Sequence, residues 1–205
     1  MEKHNYIGKT KEEAIIKAKE DLQEVEKNLI IRELSSQKGG LFKSSKVEIE
    51  VIEHREVVKY IKEHIIELLK NLGFNVQVEL KNKDEVPTYM IYSDNDALLI
   101  GKNGKNLKAI SFYVGMHINK MIGKNFKFII DVNEYNKKRE KRIESLAKKI
   151  AREVAQTKIE VKLDAMNSYE RRIIHNVLTN NKKVYTESEG EEPNRCVVIK
   201  PKEVE

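Results

Sequence analysis

The sequence predicts an α+β fold built from three small α/β modules, and three observations point there. Segments with apolar residues three and four apart alternate with segments where every second residue is apolar, the marks of amphipathic helices and half-buried strands. They group into three blocks, 1–54, 55–133 and 134–205, in a chain of 205 residues that can bury at least one real core. Charge follows the same division: the balance is −1 over residues 1–56, +7 over 57–156 and zero over 157–205.

In the first block, Thr10 is placed to cap a helix, with Glu13 completing a capping box and Ala14, Ile15, Ala18 and Leu22 forming its apolar side. Around it stand an extended Tyr6-Ile7, an apolar run over 28–34, and the alternating Val47, Ile49 and Val51, with a Gly39-Gly40 turn before the last strand. This β-α-β-β pattern carries no catalytic constellation and reads as a docking module.

The second block opens on a helix with Val58, Ile61, Ile65, Leu68, Leu69 and Leu72 on one side, stopped by Gly73. Val76, Val78 and Leu80 alternate with polar residues as a strand, and 88–93 form the next, entered at Pro87. A short helix over 96–100 runs into Gly101-Lys102-Asn103-Gly104. A longer helix follows on Leu107, Ile110, Val114, Ile118 and Met121, ending at Gly123, and Phe126, Phe128, Ile130 and Val132 predict a third strand. The order is α-β-β-α-(GxxG)-α-β.

A basic helix is predicted over about 134–156, with Ile143, Leu146, Ala147, Ile150 and Val154 turned inward and Lys137, Lys138, Arg139, Lys141, Arg142, Lys148, Lys149 and Arg152 largely outside. The third block then alternates at Ile159, Val161 and Leu163 as a strand. It continues with a helix over about 167–180, an extended stretch from Val184, an acidic turn over 190–194 and a last strand from Cys196 to Lys200.

Residues 97–130 contain no acid but six lysines, Lys102, Lys105, Lys108, Lys120, Lys124 and Lys127. A merely solvated surface mixes signs, so this segment reads as a site for a polyanion. Gly101 and Gly104 let backbone approach a phosphate closely, and the second glycine opens a helix whose free N–H groups favour an anion. Lys102, Lys105 and Lys108 add charge, Asn103 tolerates a tight turn, and Ile100 and Leu107 are expected to line an apolar groove for splayed bases. A nucleotide-binding P-loop is excluded: Gly104-Lys105 is followed by Asn106, and no hydroxyl is placed for magnesium. The GxxG tetrapeptide between two helices, after two strands, resembles the KH domain of type II topology, whose loop clamps single-stranded nucleic acid.

Arg171 and His175 lie four apart, on one helix face, away from the apolar side formed by Met166, Ile173, Ile174 and Val177. They are expected to be exposed together and to hold one phosphate by two donors, the imidazole serving best when protonated. An i,i+4 surface pair or a loop cap is the competing structural role. The string Met166-Asn-Ser-Tyr-Glu-Arg-Arg-Ile-Ile-His175, followed by Thr186-Glu-Ser-Glu-Gly-Glu-Glu-Pro-Asn-Arg195, resembles the Arg-xxx-His nucleic-acid-binding domain, in the form that ends the bacterial Jag (KhpB/EloR) proteins. The first block, with its Lys38-Gly-Gly-Leu-Phe42 turn, resembles their amino-terminal domain. Two departures are Ser168, where the family string carries Pro, and Cys196, where it carries a basic residue.

The resemblance implies a Jag-type domain over 1–54, a type II KH domain over 55–133, and a basic linking helix with an Arg-xxx-His domain over 134–205. It implies a single-stranded RNA-binding protein, an RNA chaperone or post-transcriptional regulator linked to cell wall and cell shape, working with a smaller KH-only protein or as a homodimer. Single-stranded DNA stays open as a ligand, and a scaffold joining envelope machinery to the cytoplasm is the alternative function.

No enzyme and no cofactor are expected. His4, His54, His64, His117 and His175 have no partners at metal-ligand spacing, and no nucleophile stands beside an evident base. Cys196 alone makes no disulfide or zinc cluster and reads as a small core residue in a strand. With no signal-like start and no membrane span, the expected location is the cytoplasm, without membrane insertion.

Overall fold

The computed structural model describes residues 1–37, 45–83 and 86–202. The chain divides into two units, residues 1–133 and 134–205. Both mix helices and strands, the α+β class that the periodicities predict.

The first unit begins with β1 (His4–Gly8), α1 (Lys11–Leu22), β2 (Leu29–Gln37) and β3 (Lys46–Glu53), whose strands form an antiparallel sheet in the order β1-β3-β2. Thr10 caps α1, its Oγ1 accepting from the Glu13 N–H at 3.2 Å. The Glu13 carboxylate closes the box one residue early, accepting from the Lys9 N–H at 2.8 Å. Ala14 and Ala18 turn into a core with Leu29, Val47, Ile49 and Val51. The Gly39-Gly40 turn and the Lys38–Phe42 string lie outside the described residues.

The same unit continues with α2 (His54–Asn71), β4 (Val76–Lys83), β5 (Val86–Ser93), α3 (Asp96–Ile100), α4 (Lys105–Ile122) and β6 (Ile129–Val132). This is the α-β-β-α-(GxxG)-α-β order expected from the sequence. Strands β4 and β5 pair antiparallel, and β6 lies parallel to β5. Parallel neighbours need a crossover; here α3, the 101–104 loop and α4 supply it. Ile61, Ile65 and Leu69 of α2 are fully buried, as are Tyr89 and Ile91 of β5 and Val114 of α4. Gly73 follows α2 at φ +87°, and the Phe74 N–H closes the turn onto the Leu69 carbonyl at 3.0 Å. The third strand starts at Ile129 rather than Phe126, because the Phe126 N–H is taken by Asn119 Oδ1 at 2.9 Å instead of a strand neighbour.

The second unit holds α5 (Tyr135–Thr157), β7 (Val161–Lys162), α6 (Ser168–Leu178), β8 (Val184–Glu189) and β9 (Cys196–Pro201), with an antiparallel sheet in the order β7-β9-β8. Ile143, Ala147 and Val154 of α5 pack with Ile174, Val184, Val197 and Ile199. Leu146, expected inside, is 44% exposed: Ala151 is buried instead, which turns the stripe away from Leu146. The strand expected over 159–163 pairs only at Val161 and Lys162, and Ile159 is exposed. Cys196 is buried in β9, as its sequence context predicts. Among the described residues, no helix is long and apolar enough to cross a membrane, and no group of three or more His, Cys, Asp or Glu could hold a metal ion.

Candidate nucleic-acid interface

The 101–104 loop takes a conformation that its sequence makes accessible. Gly101 sits at φ +69°, ψ 178°, a region essentially restricted to glycine, while Asn103 (φ +56°) and Gly104 (φ +78°) are left-handed. Space forbids a side chain at Gly101 as well, since a Cβ there would stand 2.6 Å from Asn106 Cγ. Asn106 in turn donates from Nδ2 to the Leu98 carbonyl at 2.8 Å, tying α4 to α3 across the loop. The Gly101 N–H closes α3 onto the Ala97 carbonyl at 2.9 Å, and the Gly104 N–H returns to the Gly101 carbonyl at 3.2 Å.

Gly104 caps α4 without a side chain, so no side-chain acceptor occupies the first N–H groups of the helix, and its first turn has no acid. Lys102, Asn103, Lys105 and Lys108 are exposed around them. Beside the loop lies a cavity of about 350 Å³, lined by Leu72, Phe74, Leu98, Leu99, Asn106, Ala109 and Ile110. The apolar surface expected next to the loop is therefore present, but not on the residues named for it. Leu107 is 5% exposed and belongs to the core, Ile100 does not line the cavity, and Leu98 with Ile110 takes that place.

The Arg171–His175 face is built differently. Asn167 caps α6 in a complete capping box: Asn167 Oδ1 accepts from the Glu170 N–H at 3.0 Å, and Glu170 Oε2 accepts from the Asn167 N–H at 3.1 Å. Glu170 Oε1 also accepts from Arg139 Nε at 2.9 Å, so this cation of the basic helix is already paired. Arg142 lies over the Tyr135 ring at 5.9 Å. The expectation that Arg171 and His175 are exposed together is overturned, because Arg171 is only 8% exposed. The helical wheel rightly sets the pair off the apolar stripe, but the 190–195 turn and β8 return over that flank. Arg171 Nη1 donates to the Met166 carbonyl at 2.7 Å and to Glu192 Oε1 at 2.8 Å.

His175 is half-buried, with Nδ1 2.6 Å from Thr186 Oγ1 and Nε2 2.9 Å from Ser188 Oγ. Thr186 and Ser188, two apart on β8, put both hydroxyls on one face. Burial, and then the neighbouring Arg171 charge, hold the imidazole below its ordinary value of 6.5. A neutral ring with one donor and one acceptor suits two hydroxyls, each able to give or take a proton. The cationic role anticipated for His175 is thus disfavoured near neutrality.

Comparison with known proteins joins both regions in one lineage. A protein of Clostridium symbiosum named RNA-binding protein KhpB is 33% identical over 206 residues, covering 97% of this chain and 91% of that protein. The chain belongs to the KhpB family. A KhpB of Bacillus subtilis is 29% identical over 165 residues, 80% of this chain and 79% of that protein. A KhpB of Lactiplantibacillus plantarum is 32% identical over 142 residues, 69% of this chain and 44% of the longer relative. Residues 141–201 match the model of the Arg-xxx-His domain, a span that takes in Arg171, His175 and Glu192.

Within this KhpB-family chain, Gly101, Lys102, Asn103, Gly104, Lys105 and Lys108 gather at one loop and helix start, and Arg171 with His175 at a separate face. Sequence reasoning missed Asn106, whose role beneath Gly101 leaves no mark in spacing. It also missed Thr186, Ser188 and Glu192 as partners of the pair. The alternation Thr186-x-Ser188 in a predicted strand was the one available signal.

Proposed function

We propose that this protein binds single-stranded RNA, the 101–104 loop taking the sugar-phosphate backbone and the adjoining cavity receiving bases. The observation that carries this reading is the loop: an uncapped helix start, reached by a glycine-only turn, amid exposed lysines and beside an apolar cavity. The relatives named RNA-binding protein KhpB and the Arg-xxx-His domain match support it. We read residues 55–133 as a type II KH domain, 1–54 as a Jag-type domain and 134–205 as a basic helix with an Arg-xxx-His domain, Arg171 and His175 forming a second contact. The family resemblance extends the proposal to a cytoplasmic RNA chaperone or post-transcriptional regulator tied to cell wall and cell shape, with a smaller KH-only protein or a second copy as protein partner.

The test is a titration of the intact chain with a labelled single-stranded RNA, its duplex and the matching single-stranded DNA, repeated across salt. Single-stranded RNA should bind more tightly than the duplex, with log affinity falling linearly in log salt by several released counterions, about 0.7 per phosphate contacted. Affinity that ignores salt, or a preference for duplex, would sink the reading; equal binding of DNA would broaden it to single strands in general.

A further inference from the structure

Glu170 and Glu192 both pair with an arginine in the second unit, yet their settings differ. The Glu170 side chain is 11% exposed and engages on both oxygens, with Arg139 and the Asn167 N–H. The Glu192 side chain is 62% exposed, stands on the turn between β8 and β9, and reaches Arg171 through a single bond of 2.8 Å. The first is a buried buttress. The second lies between a buried guanidinium and water.

We propose that Glu192 is a built-in competitor for the phosphodiester at Arg171, so that RNA gains this contact only by displacing the chain's own carboxylate. This rests on the reading of Arg171 as a phosphate contact. A carboxylate and a phosphodiester present the same chemistry to a guanidinium, anionic oxygens that accept its N–H groups. With Glu192 in place the pair is neutral, and an approaching phosphate meets no net attraction there. The two partners differ in what it takes to move them. Arg171 is held by its burial and by the Met166 carbonyl, whereas Glu192 can swing into solvent with little lost. Arg171 Nε and Nη2 donate to nothing among the described residues and are not sealed from solvent, so donors stand ready once the carboxylate leaves. The Arg171 contact is thereby kept for strands already held by neighbouring contacts, and stray anions are disfavoured.

The experiment titrates one single-stranded RNA oligonucleotide into the full chain as wild type, Glu192→Gln, Glu191→Gln, Arg171→Gln and the Arg171→Gln/Glu192→Gln pair, at several salt concentrations, with thermal melts alongside. Glu192→Gln should tighten binding roughly three- to tenfold, as expected when one short-range competing charge is removed, and steepen the salt slope by about one phosphate contact. Glu191→Gln, an equal change in net charge next door, should do less, and the Glu192→Gln gain should vanish in the Arg171→Gln background. Arg171→Gln that weakens binding while Glu192→Gln is silent or also weakens it overturns the competitor and leaves the phosphate contact standing. Wild-type binding by a folded Arg171→Gln overturns both. Should Arg171→Gln fail to fold, the comparison of Glu192→Gln with Glu191→Gln still decides, since equal gains from the two would reduce the effect to general repulsion.

Discussion

At the 101–104 loop, Lys102, Asn103, Lys105 and Lys108 are exposed and the first turn of α4 is left without a side-chain cap. At the Arg171–His175 face, Arg171 is tied to Met166 and Glu192, and both ring nitrogens of His175 to Thr186 and Ser188. The first region is made of backbone and free charge, held open by glycine geometry; the second is made of side chains that already satisfy one another. The difference teaches that a polyanion can use the loop as it stands, whereas at the second face it must replace bonds that the fold has made. Altering the loop should therefore change binding alone, and altering the face should change folding too.

The largest expected effect is on the loop. Changing Lys102 and Asn103 together to Asp should weaken single-strand RNA affinity about a hundredfold, by turning attraction for the phosphates into repulsion, while the melting temperature stays where it was. The left-handed Asn103 accepts Asp without strain. Unchanged affinity in the folded variant would break the comparison at its open end.

At the face, Arg171→Ala should cost about 1–2 kcal/mol of stability, because the Met166 carbonyl loses its charged donor in a half-buried setting. Chemical denaturation with the loop variant beside it gives the measurement. An Arg171→Ala protein as stable as wild type would show that the closed site is closed only in appearance.

The smallest effect is in pH. Burial holds His54, His64 and His175 below their ordinary 6.5. Between each folded value and 6.5 the unfolded chain binds more protons than the folded one, so this share of stability is complete above 6.5 and falls away as pH drops below it. Melts from pH 8 to 5 should show that decline, and His175→Gln and His64→Gln should each flatten part of it. Binding should likewise show no His175-dependent tightening between pH 7.5 and 6.5, in contrast to the loop, whose lysines stay charged throughout.

Much of this was legible in the residues. The GxxG loop, the helix that ends at Gly73, the short helix over 96–100 and the acid-free run of lysines are written locally, in spacing and in glycine. Leu146 and the shortened β7 were misread because a periodic pattern fixes which side of an element is apolar only to within a neighbouring position, and packing chooses among the candidates. Ile100 and Leu107 were assigned to a groove from their nearness in sequence, whereas Leu72 and Phe74 reach the cavity from the end of α2.

The sequence by itself determined the order of elements, the left-handed and glycine-only positions of the loop, and the segregation of positive charge, because each depends on residues within one or two turns of each other. Only the tertiary structure decided that Asn106 fills the space beneath Gly101, that Thr186 and Ser188 hold His175, and that Glu192 neutralises Arg171. Glu192 stands 21 residues from Arg171 along the chain. No local rule relates them, since a charged side chain finds its partner wherever strand pairing brings a distant turn back over it.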